Sequence, residues 1–306
     1  MTKTAFLFAG QGAQYLGMAR DLYEQYDVVK ATFEEASQVL GYDVRALIDQ
    51  DEEKLNQTRY TQPAILTTSL AIYRLLAEKG IRPDMVAGLS LGEYSALVAA
   101  GALDFQTAVA LVAKRGAFME EAAPAGSGKM VAVLNAEVAL IEEACQTASQ
   151  LGVVSPANYN TPGQIVIGGD VAAVDKAVEL LKEAGVKRLI PLNVSGPFHT
   201  ALLKPASEKL AQVLAETEFT EFQLPLVGNT EADIMEASRI KELLTRQIIE
   251  PVRFYDSIAK MQEAGVTEFI EIGPGKVLSG FLKKIDKSAV VYHVESVETL
   301  TALLEK

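Results

Sequence analysis

Ser90 lies between two glycines in the segment Gly88-Leu89-Ser90-Leu91-Gly92, after an apolar run and before a segment of helical character. This spacing is that of a nucleophile elbow, in which a serine occupies a sharp turn between a strand and a helix. The glycines allow a tight turn without side-chain clashes, and the first N–H groups of the helix can stabilise a negative charge. The pattern favours a nucleophilic Ser90, with an ordinary loop serine as the alternative.

A serine nucleophile needs a base, and the sequence contains two histidines, His199 and His293. His293 alternates with apolar residues in the strand-like segment AVVYHVES, where we expect a histidine at the rim of the fold. His199 follows a strand-like segment in NVSGPFHTALL, just before a helix. Catalytic groups of α/β proteins lie in loops at such strand ends, so His199 is the better candidate. The alternative for His199 is a histidine that caps or packs against the next helix.

Arg115 lies with Lys114 in the apolar helical segment LVAKRGAFMEEA. The planar fork of a guanidinium suits a substrate carboxylate. The residues alone favour two other interpretations: charges on a solvated helix face, or an ion pair with Glu120 or Glu121.

The first loop, AGQGAQ, follows an apolar strand-like segment and contains Gly10 and Gly12. It is not a dinucleotide fingerprint, because Tyr15 stands where the third glycine of G-x-G-x-x-G is required. Gln11 in this loop can instead offer its backbone N–H as a second donor to an oxyanion.

Composition limits the partners and cofactors of the chain. A net charge of -12 in 306 residues argues against general nucleic-acid binding, although a local basic patch for an acidic partner is compatible with it. Cys145 is the single cysteine, so an intramolecular disulfide is impossible. One cysteine and two histidines leave little material for a zinc site. A magnesium site of carboxylates is the alternative, but no spacing of Asp and Glu points to one, and we expect neither a metal nor a cofactor.

The N-terminal apolar run, residues 5–9, is too short for the core of a signal peptide. The sequence also contains no stretch of 18 apolar residues of the kind that spans a membrane. We therefore expect a cytoplasmic protein that does not contact a membrane.

Strand-like and helical segments alternate over residues 1–126 and again over 197–306, which predicts an α/β domain with a mostly parallel sheet. A helix is expected after a loop, with Pro63 in its first turn and Gly80 at its end, and another with Asp104 as its N-cap. LPLVGNT and TEFIEIGP are predicted as further strands.

A Gly-, Ser- and Pro-containing segment, APAGSGKM, interrupts this alternation. The order βαββαβ follows, which is typical of a ferredoxin-like unit. We expect residues 127–196 to form a small ferredoxin-like domain that is inserted into the large domain.

Six segments resemble, in the same order, the malonyl-CoA:acyl carrier protein transacylase family, and they cover nearly the whole chain. They are FAGQGAQYLGMARDLY, TRYTQPAILTTSLA, GLSLGEYSALVAAGAL, VAKRGAFMEEA, NVSGPFHTALL and EIGPGKVLSG. The resemblance implies a large domain of α/β-hydrolase-like fold and an acyl transfer in fatty acid synthesis. Malonyl would pass from coenzyme A, a substrate rather than a cofactor, to a serine and then to the phosphopantetheine thiol of acyl carrier protein.

The resemblance assigns roles to individual residues. Ser90 matches the nucleophile and His199 the base. Gln11 and Leu91 match the residues whose backbone N–H groups form the oxyanion hole. Gln247 matches a residue whose backbone carbonyl orients the histidine, which would explain why no acidic partner of His199 is visible.

Substrate choice also follows from the resemblance. Arg115 matches the arginine that binds the malonyl carboxylate, and acetyl would leave its buried charge unpaired. Leu91 and Phe198 are similar to residues of malonyl-selective relatives. The chain departs from the family at Leu89, where a histidine is usual, and this substitution alters the immediate surroundings of the nucleophile.

Two other functions compete with transacylation. A serine esterase or thioesterase would share the Ser90–His199 pair but release its product to water, and Arg115 and the AGQGAQ loop argue against it. A non-catalytic carrier-protein docking module would not need an intact serine–histidine pair. We expect the protein to be a monomer that binds malonyl-CoA and acyl carrier protein.

Acyl carrier proteins of this system are acidic, so docking requires a basic patch on this acidic chain. Two segments are candidates, FLKKIDK with Lys283, Lys284 and Lys287, and VKR with Lys187 and Arg188. The alternative for each is ordinary solvated charge.

Overall fold

A parallel four-stranded sheet forms the centre of the larger part of the fold in the computed structural model, which describes residues 2–306. The strand order is β2-β1-β7-β8, and all neighbouring pairs are parallel. Parallel strands covered by helices on both faces are buried throughout, and residues 5–8 of the first strand are all buried. The strands are β1 (Lys3–Phe8), β2 (Met85–Gly88), β7 (Val266–Ile272) and β8 (Val290–Val294).

Helices cover both faces of this sheet. They are α1 (Arg20–Gln25), α2 (Asp27–Leu40), α3 (Val44–Gln50), α4 (Glu52–Leu55), α5 (Thr58–Glu78), α6 (Gly92–Ala99), α7 (Phe105–Ala122), α10 (Lys204–Ala215), α11 (Ile240–Gln247), α12 (Phe254–Glu263), α13 (Val277–Ile285) and α14 (Val297–Leu304). Phe6 and Phe8 of β1 face the core shared with α2, α5 and α7, whereas Ala5 and Leu7 face α12 and α13. Alternate residues of one strand therefore serve two separate cores.

The second sheet is antiparallel and has the order β4-β5-β3-β6. Its strands are β3 (Lys129–Leu134), β4 (Val154–Thr161), β5 (Gln164–Gly169) and β6 (Arg188–Pro191). Helices α8 (Val138–Ala148) and α9 (Val171–Glu183) pack on one face. The opposite face, with Met130, Ala132 and Val166, turns towards the rest of the molecule.

Main-chain hydrogen bonds join the antiparallel sheet to the larger part of the fold. The N–H of Tyr159 donates to the carbonyl of Val252 at 2.8 Å, and the N–H of Val252 donates to the carbonyl of Ala157 at 2.9 Å. These bonds form a single parallel bridge between β4 and the segment that precedes α12.

The turn between β2 and α6 is packed too closely to accept side chains at its glycines. A Cβ on Gly88 would lie 2.0 Å from the backbone of Gly92, and one on Gly92 would lie 2.1 Å from the carbonyl oxygen of Phe8. The first turn of the helix that follows Ser90 therefore packs directly against the end of β1.

The predicted mixed α/β fold with a parallel sheet is confirmed, and Asp104 caps α7 by accepting from the N–H of Thr107. The prediction for Pro63 is wrong, because α5 already begins at Thr58 and Pro63 lies inside the helix. Proline favours the first turn because it lacks an N–H, but here buried packing of Thr58, Thr61 and Gln62 extends the helix towards its N-terminus.

LPLVGNT, predicted as a strand, contributes only isolated bridges. Leu226 pairs with Val86 of β2, and Val227 pairs with Ile234. Among residues 2–306, no helix is long and apolar enough to cross a membrane.

Candidate active site

Ser90 and His199 are 109 positions apart in the sequence and are joined by a hydrogen bond of 2.8 Å between Oγ and Nε2. Ser90 follows β2 directly, and Leu91 is the N-cap of α6. Both residues have left-handed backbones, with φ of 53° at Ser90 and 60° at His199. Such values are uncommon for residues other than glycine and are concentrated at functional sites.

The imidazole of His199 is held by the main chain of Gln247. Its Nδ1–H donates to the carbonyl oxygen of Gln247 at 2.6 Å, which leaves Nε2 as the acceptor that faces Ser90. Burial, and next the positive charge of Arg115, lower the pKa of His199 to about 4. The imidazole is therefore neutral at neutral pH and able to take a proton from the serine hydroxyl.

Arg115 lies behind the nucleophile and is 1% exposed. Its Nη2 donates to Ser90 Oγ at 3.1 Å and to Gln247 Oε1 at 2.9 Å, and its Nη1 donates to Gln62 Oε1 at 2.8 Å. The guanidinium also lies over the ring of Tyr94, with its carbon 5.2 Å from the ring centroid. A positive charge is thereby fixed within hydrogen-bonding distance of the reacting oxygen.

Neither alternative interpretation of Arg115 matches these contacts. A solvated position is excluded by its burial. Glu120 pairs with Arg59 and Glu121 pairs with Lys209, so both acids are engaged by other residues. The helix α7 instead directs Arg115 inwards, because Gly116 packs against the first turn of α5: a Cβ there would lie 2.7 Å from the carbonyl oxygen of Thr58.

A cavity of about 340 Å³ opens in front of Ser90 and His199, between the two sheets. Its volume lies within the range of ordinary small-ligand sites. Gln11 and Gly12 line one side, and Phe198 and Asn160 are also among the lining residues. The first loop and the nucleophile turn, which are distant in sequence, thus meet at one cavity.

His293 lies near the end of β8 and is half-buried, with Nε2 3.8 Å from a carboxylate oxygen of Glu295. Burial lowers its pKa. This position matches the predicted rim histidine.

Sequence reasoning missed several polar residues of the site. Glu93 and Asn229 are each 1% exposed. Asn229 accepts from the N–H of Ser90, and Glu93 accepts from the N–H of Asn229. Within residues 2–306, Oδ1 of the buried Asn160 has no hydrogen-bond partner, and Asn160 lines the cavity. A usable signal was present only for Glu93, which is charged yet stands in the first turn of an otherwise apolar helix.

The arrangement can perform covalent acyl transfer. It offers a hydroxyl nucleophile, a neutral base oriented by a carbonyl, and a helix N-terminus next to the nucleophile. The buried guanidinium of Arg115 adds a positive charge 3.1 Å from the hydroxyl oxygen of Ser90.

Comparison with known proteins matches residues 5–303 to the family model described as acyl transferase domain. The malonyl CoA-acyl carrier protein transacylase of Bacillus subtilis strain 168 is 49% identical over 308 residues, covering 100% of this chain and 97% of the relative. The crystal structure of MCAT from Streptococcus pneumoniae is 74% identical, with a TM-score of 0.98 and 99% of each chain covered.

A further solved structure contains the malonyl-transacylase PlMCAT in complex with AntF, a type II PKS acyl-carrier protein. PlMCAT is 46% identical to this chain with a TM-score of 0.96, and 99% of each chain is covered. The likeness extends over both sheets and the cavity between them.

The low pKa of His199 predicts a specific titration. Because the folded-state pKa, about 4, lies below the ordinary value of about 6.5, the imidazole should stay neutral as pH falls from 7 to about 5. NMR of isotope-labelled histidine measures this directly, and His293→Gln assigns the two signals. In Arg115→Met the midpoint should rise, since one cause of the shift is removed. A His199 midpoint near 6.5 in the wild type would contradict this account.

Proposed function

This chain belongs to the acyl transferase family, and we propose that it transfers malonyl from coenzyme A to the phosphopantetheine thiol of acyl carrier protein in fatty acid synthesis. The observation that carries the proposal is the environment of Ser90 Oγ. This oxygen contacts a neutral histidine at 2.8 Å and a buried guanidinium at 3.1 Å. Nucleophile, base and carboxylate-binding group therefore converge on one atom.

The first half-reaction forms a malonyl ester on Ser90. His199 Nε2 accepts the hydroxyl proton while Oγ attacks the thioester carbonyl, and the carbonyl of Gln247 holds the resulting imidazolium in place. The backbone N–H groups of Leu91 and Gln11 stabilise the oxyanion, a role supported by the helix start at Leu91 and by the position of Gln11 on the cavity. The tetrahedral intermediate then expels coenzyme A, whose thiolate receives the proton from His199.

The second half-reaction reverses the first with another thiol. His199 removes the proton of the phosphopantetheine thiol, and the sulfur attacks the malonyl ester. Collapse of the intermediate returns the proton to Ser90 Oγ and releases malonyl on the carrier protein. Because coenzyme A leaves the cavity before the second thiol enters and attacks the malonyl ester, the kinetics are of the ping-pong type.

Arg115 selects acyl groups that carry a free carboxylate. Its acceptors in the free protein are the amide oxygens of Gln62 and Gln247 and the hydroxyl of Ser90, all of them neutral. A malonyl carboxylate can therefore pair with a guanidinium that has no carboxylate bonded to it. Acetyl cannot make this pair.

Four of the five basic candidates for carrier-protein docking line one cleft, and Lys187 is not among its lining residues. Arg188 of β6 and Lys283, Lys284 and Lys287, at and beyond the end of α13, line a cleft of about 640 Å³. The cleft shares Gln164 and Leu192 with the catalytic cavity. We place the acidic carrier protein here, since the prosthetic arm would then enter directly beside Ser90.

The finer fold description belongs to the same proposal. The order β4-β5-β3-β6, with α8 and α9 on one face, matches the ferredoxin-like pattern that βαββαβ predicts. We interpret residues 127–196 as a small inserted domain, and residues 1–126 with 197–306 as an α/β-hydrolase-like domain. The thioesters are substrates, and the mechanism needs no additional cofactor.

Acylation of Ser90 tests the function. Intact mass after rapid mixing with malonyl-CoA should show one malonyl adduct, which peptide mapping places on Ser90 and which Ser90→Ala abolishes. Adding acyl carrier protein with its phosphopantetheine arm should move the malonyl group to that thiol. Loss of the adduct to water at the same rate with and without the thiol would indicate the esterase alternative.

Substitution of Arg115 should change substrate choice. Removing one partner of a buried charge pair costs about 3–5 kcal/mol, so kcat/KM for malonyl-CoA should fall by roughly 10²–10⁴-fold in Arg115→Met. Acetyl transfer should not fall. Arg45→Met is the matched control, because Arg45 is also buried but pairs with Asp49 on α3. A malonyl-to-acetyl ratio that survives Arg115→Met would remove Arg115 from substrate recognition.

Charge reversal in the basic cleft should weaken use of the carrier protein. In Arg188→Glu/Lys284→Glu the KM for carrier protein should rise on the order of 10-fold at low salt, because complementary charge guides encounter. Malonylation of Ser90 by malonyl-CoA should keep its rate. Lys182→Glu, on α9 across the sheet, is the control. If only malonylation slows, the cleft binds the coenzyme A phosphates instead.

A further inference from the structure

Side chains hold both polar groups of the Ser90 backbone. The N–H of Ser90 donates to Oδ1 of Asn229 at 2.7 Å, and its carbonyl accepts from Nε2 of Gln247 at 3.0 Å. With φ of 53°, Ser90 has a conformation that a residue with a side chain keeps only when its surroundings enforce it. These two amides are therefore part of what keeps the nucleophile in place.

Asn229 connects the two sides of the turn. While its Oδ1 accepts from Ser90, its Nδ2 donates to the carbonyl oxygen of Gly88 at 2.6 Å. One planar amide thus spans the peptide groups immediately before and after Leu89. Asn229 is 1% exposed and is absent from the lining of the catalytic cavity, so its contacts lie behind the nucleophile.

Glu93 fixes Asn229 in turn. One oxygen of its carboxylate accepts from the backbone N–H of Asn229 at 2.7 Å, and the other accepts from Nε2 of Gln247 at 2.6 Å. The carboxylate therefore ties together the two residues that hold Ser90. Glu93 is itself three residues beyond Ser90, in the first turn of α6, so the cluster closes on the turn it supports.

We propose that Asn229 is a positioning residue that holds Ser90 in its left-handed conformation and so aligns Oγ with His199. Asn229 acts through the backbone and contacts no reacting atom. The inference rests on the proposed function only in that Ser90 is the nucleophile. Misplacement of a reacting atom by about 1 Å costs roughly 10²-fold in rate, so release of this turn is expected to slow acylation strongly.

The contacts require an amide at this position. Oδ1 of Asn229 accepts from the N–H of Ser90, and Nδ2 donates to the carbonyl oxygen of Gly88. In Asn229→Asp an ionised carboxylate would place an oxygen, which cannot donate, against the carbonyl oxygen of Gly88. A protonated carboxyl would restore the donor. Glu93 disfavours ionisation of the introduced group while it is itself ionised, and burial raises the pKa of Glu93 to about 7; the wild type contains the same carboxyl, so its titration affects both proteins. Arg115 favours ionisation, and His199 is neutral above about pH 4. Activity of this variant relative to the wild type should therefore rise as pH falls.

The experiment measures three rates by rapid quench. They are the rates at which Ser90 is acylated by malonyl-CoA, acylated by acetyl-CoA, and labelled by a serine-directed fluorophosphonate. Asn229→Ala should slow all three reactions by about 10²-fold, through kcat rather than KM, and leave the malonyl-to-acetyl ratio unchanged. Thr230→Val is the matched control on the same buried loop. Within residues 2–306 the Thr230 hydroxyl has no hydrogen-bond partner, so this variant should react like the wild type.

Asn229→Asp keeps the test decisive if Asn229→Ala does not fold. Its rate relative to the wild type should increase as pH falls from about 8 to about 5, whereas a merely structural role would give a constant ratio. Wild-type rates in Asn229→Ala, or a flat ratio in Asn229→Asp, would overturn the inference. A wild type that reacts with the fluorophosphonate but not with malonyl-CoA would refute the proposed function and leave this inference testable.

Discussion

The buried charge of Arg115 is the constraint on which the rest of the site depends. A guanidinium with 1% exposure is costly unless its donors are bonded, and Gln62 and Gln247 supply those bonds from two different helices. Both acceptors are neutral amides, so they accept from Nη1 and Nη2 without cancelling the charge, while the buried Nε has no hydrogen-bond partner within residues 2–306. The nearest carboxylate along this network, Glu93, is separated from the guanidinium by the Gln247 amide. The free protein can therefore keep an arginine buried and still attract an anion.

Gln247 contacts His199, Arg115 and Ser90 and so links their positions. Its carbonyl orients His199, its amide oxygen holds Arg115, and its amide nitrogen bonds to Ser90 and Glu93. Both ends of the side-chain amide have defined partners, a donor on one side and acceptors on the other, so the orientation of the amide is determined. His199, Arg115 and Ser90 are thus all held by the end of one helix, α11, and not by three independent supports.

The sequence predicted the mixed α/β fold and the nucleophile turn because glycine spacing and strand–helix alternation are local signals. Local patterns also singled out Ser90 and His199, whereas the roles of Arg115 and Gln247 came only from the family resemblance, and Gln62, Glu93 and Asn229 were missed. The start of α5 was missed, because burial of its first turn outweighs the preference of Pro63 for a helix start. Asn229 could not be found, since a single polar residue in a loop has no pattern, and its partners Gly88 and Ser90 are far away in the sequence.

The main-chain bridge at Val252 joins the two sheets that line the cavity in front of Ser90. Separating the antiparallel sheet from the parallel one would break the bonds to Ala157 and Tyr159, and β4 would lose a neighbour at its edge. Since residues of both sheets line the cavity in front of Ser90, the same two bonds also hold its opposite walls together.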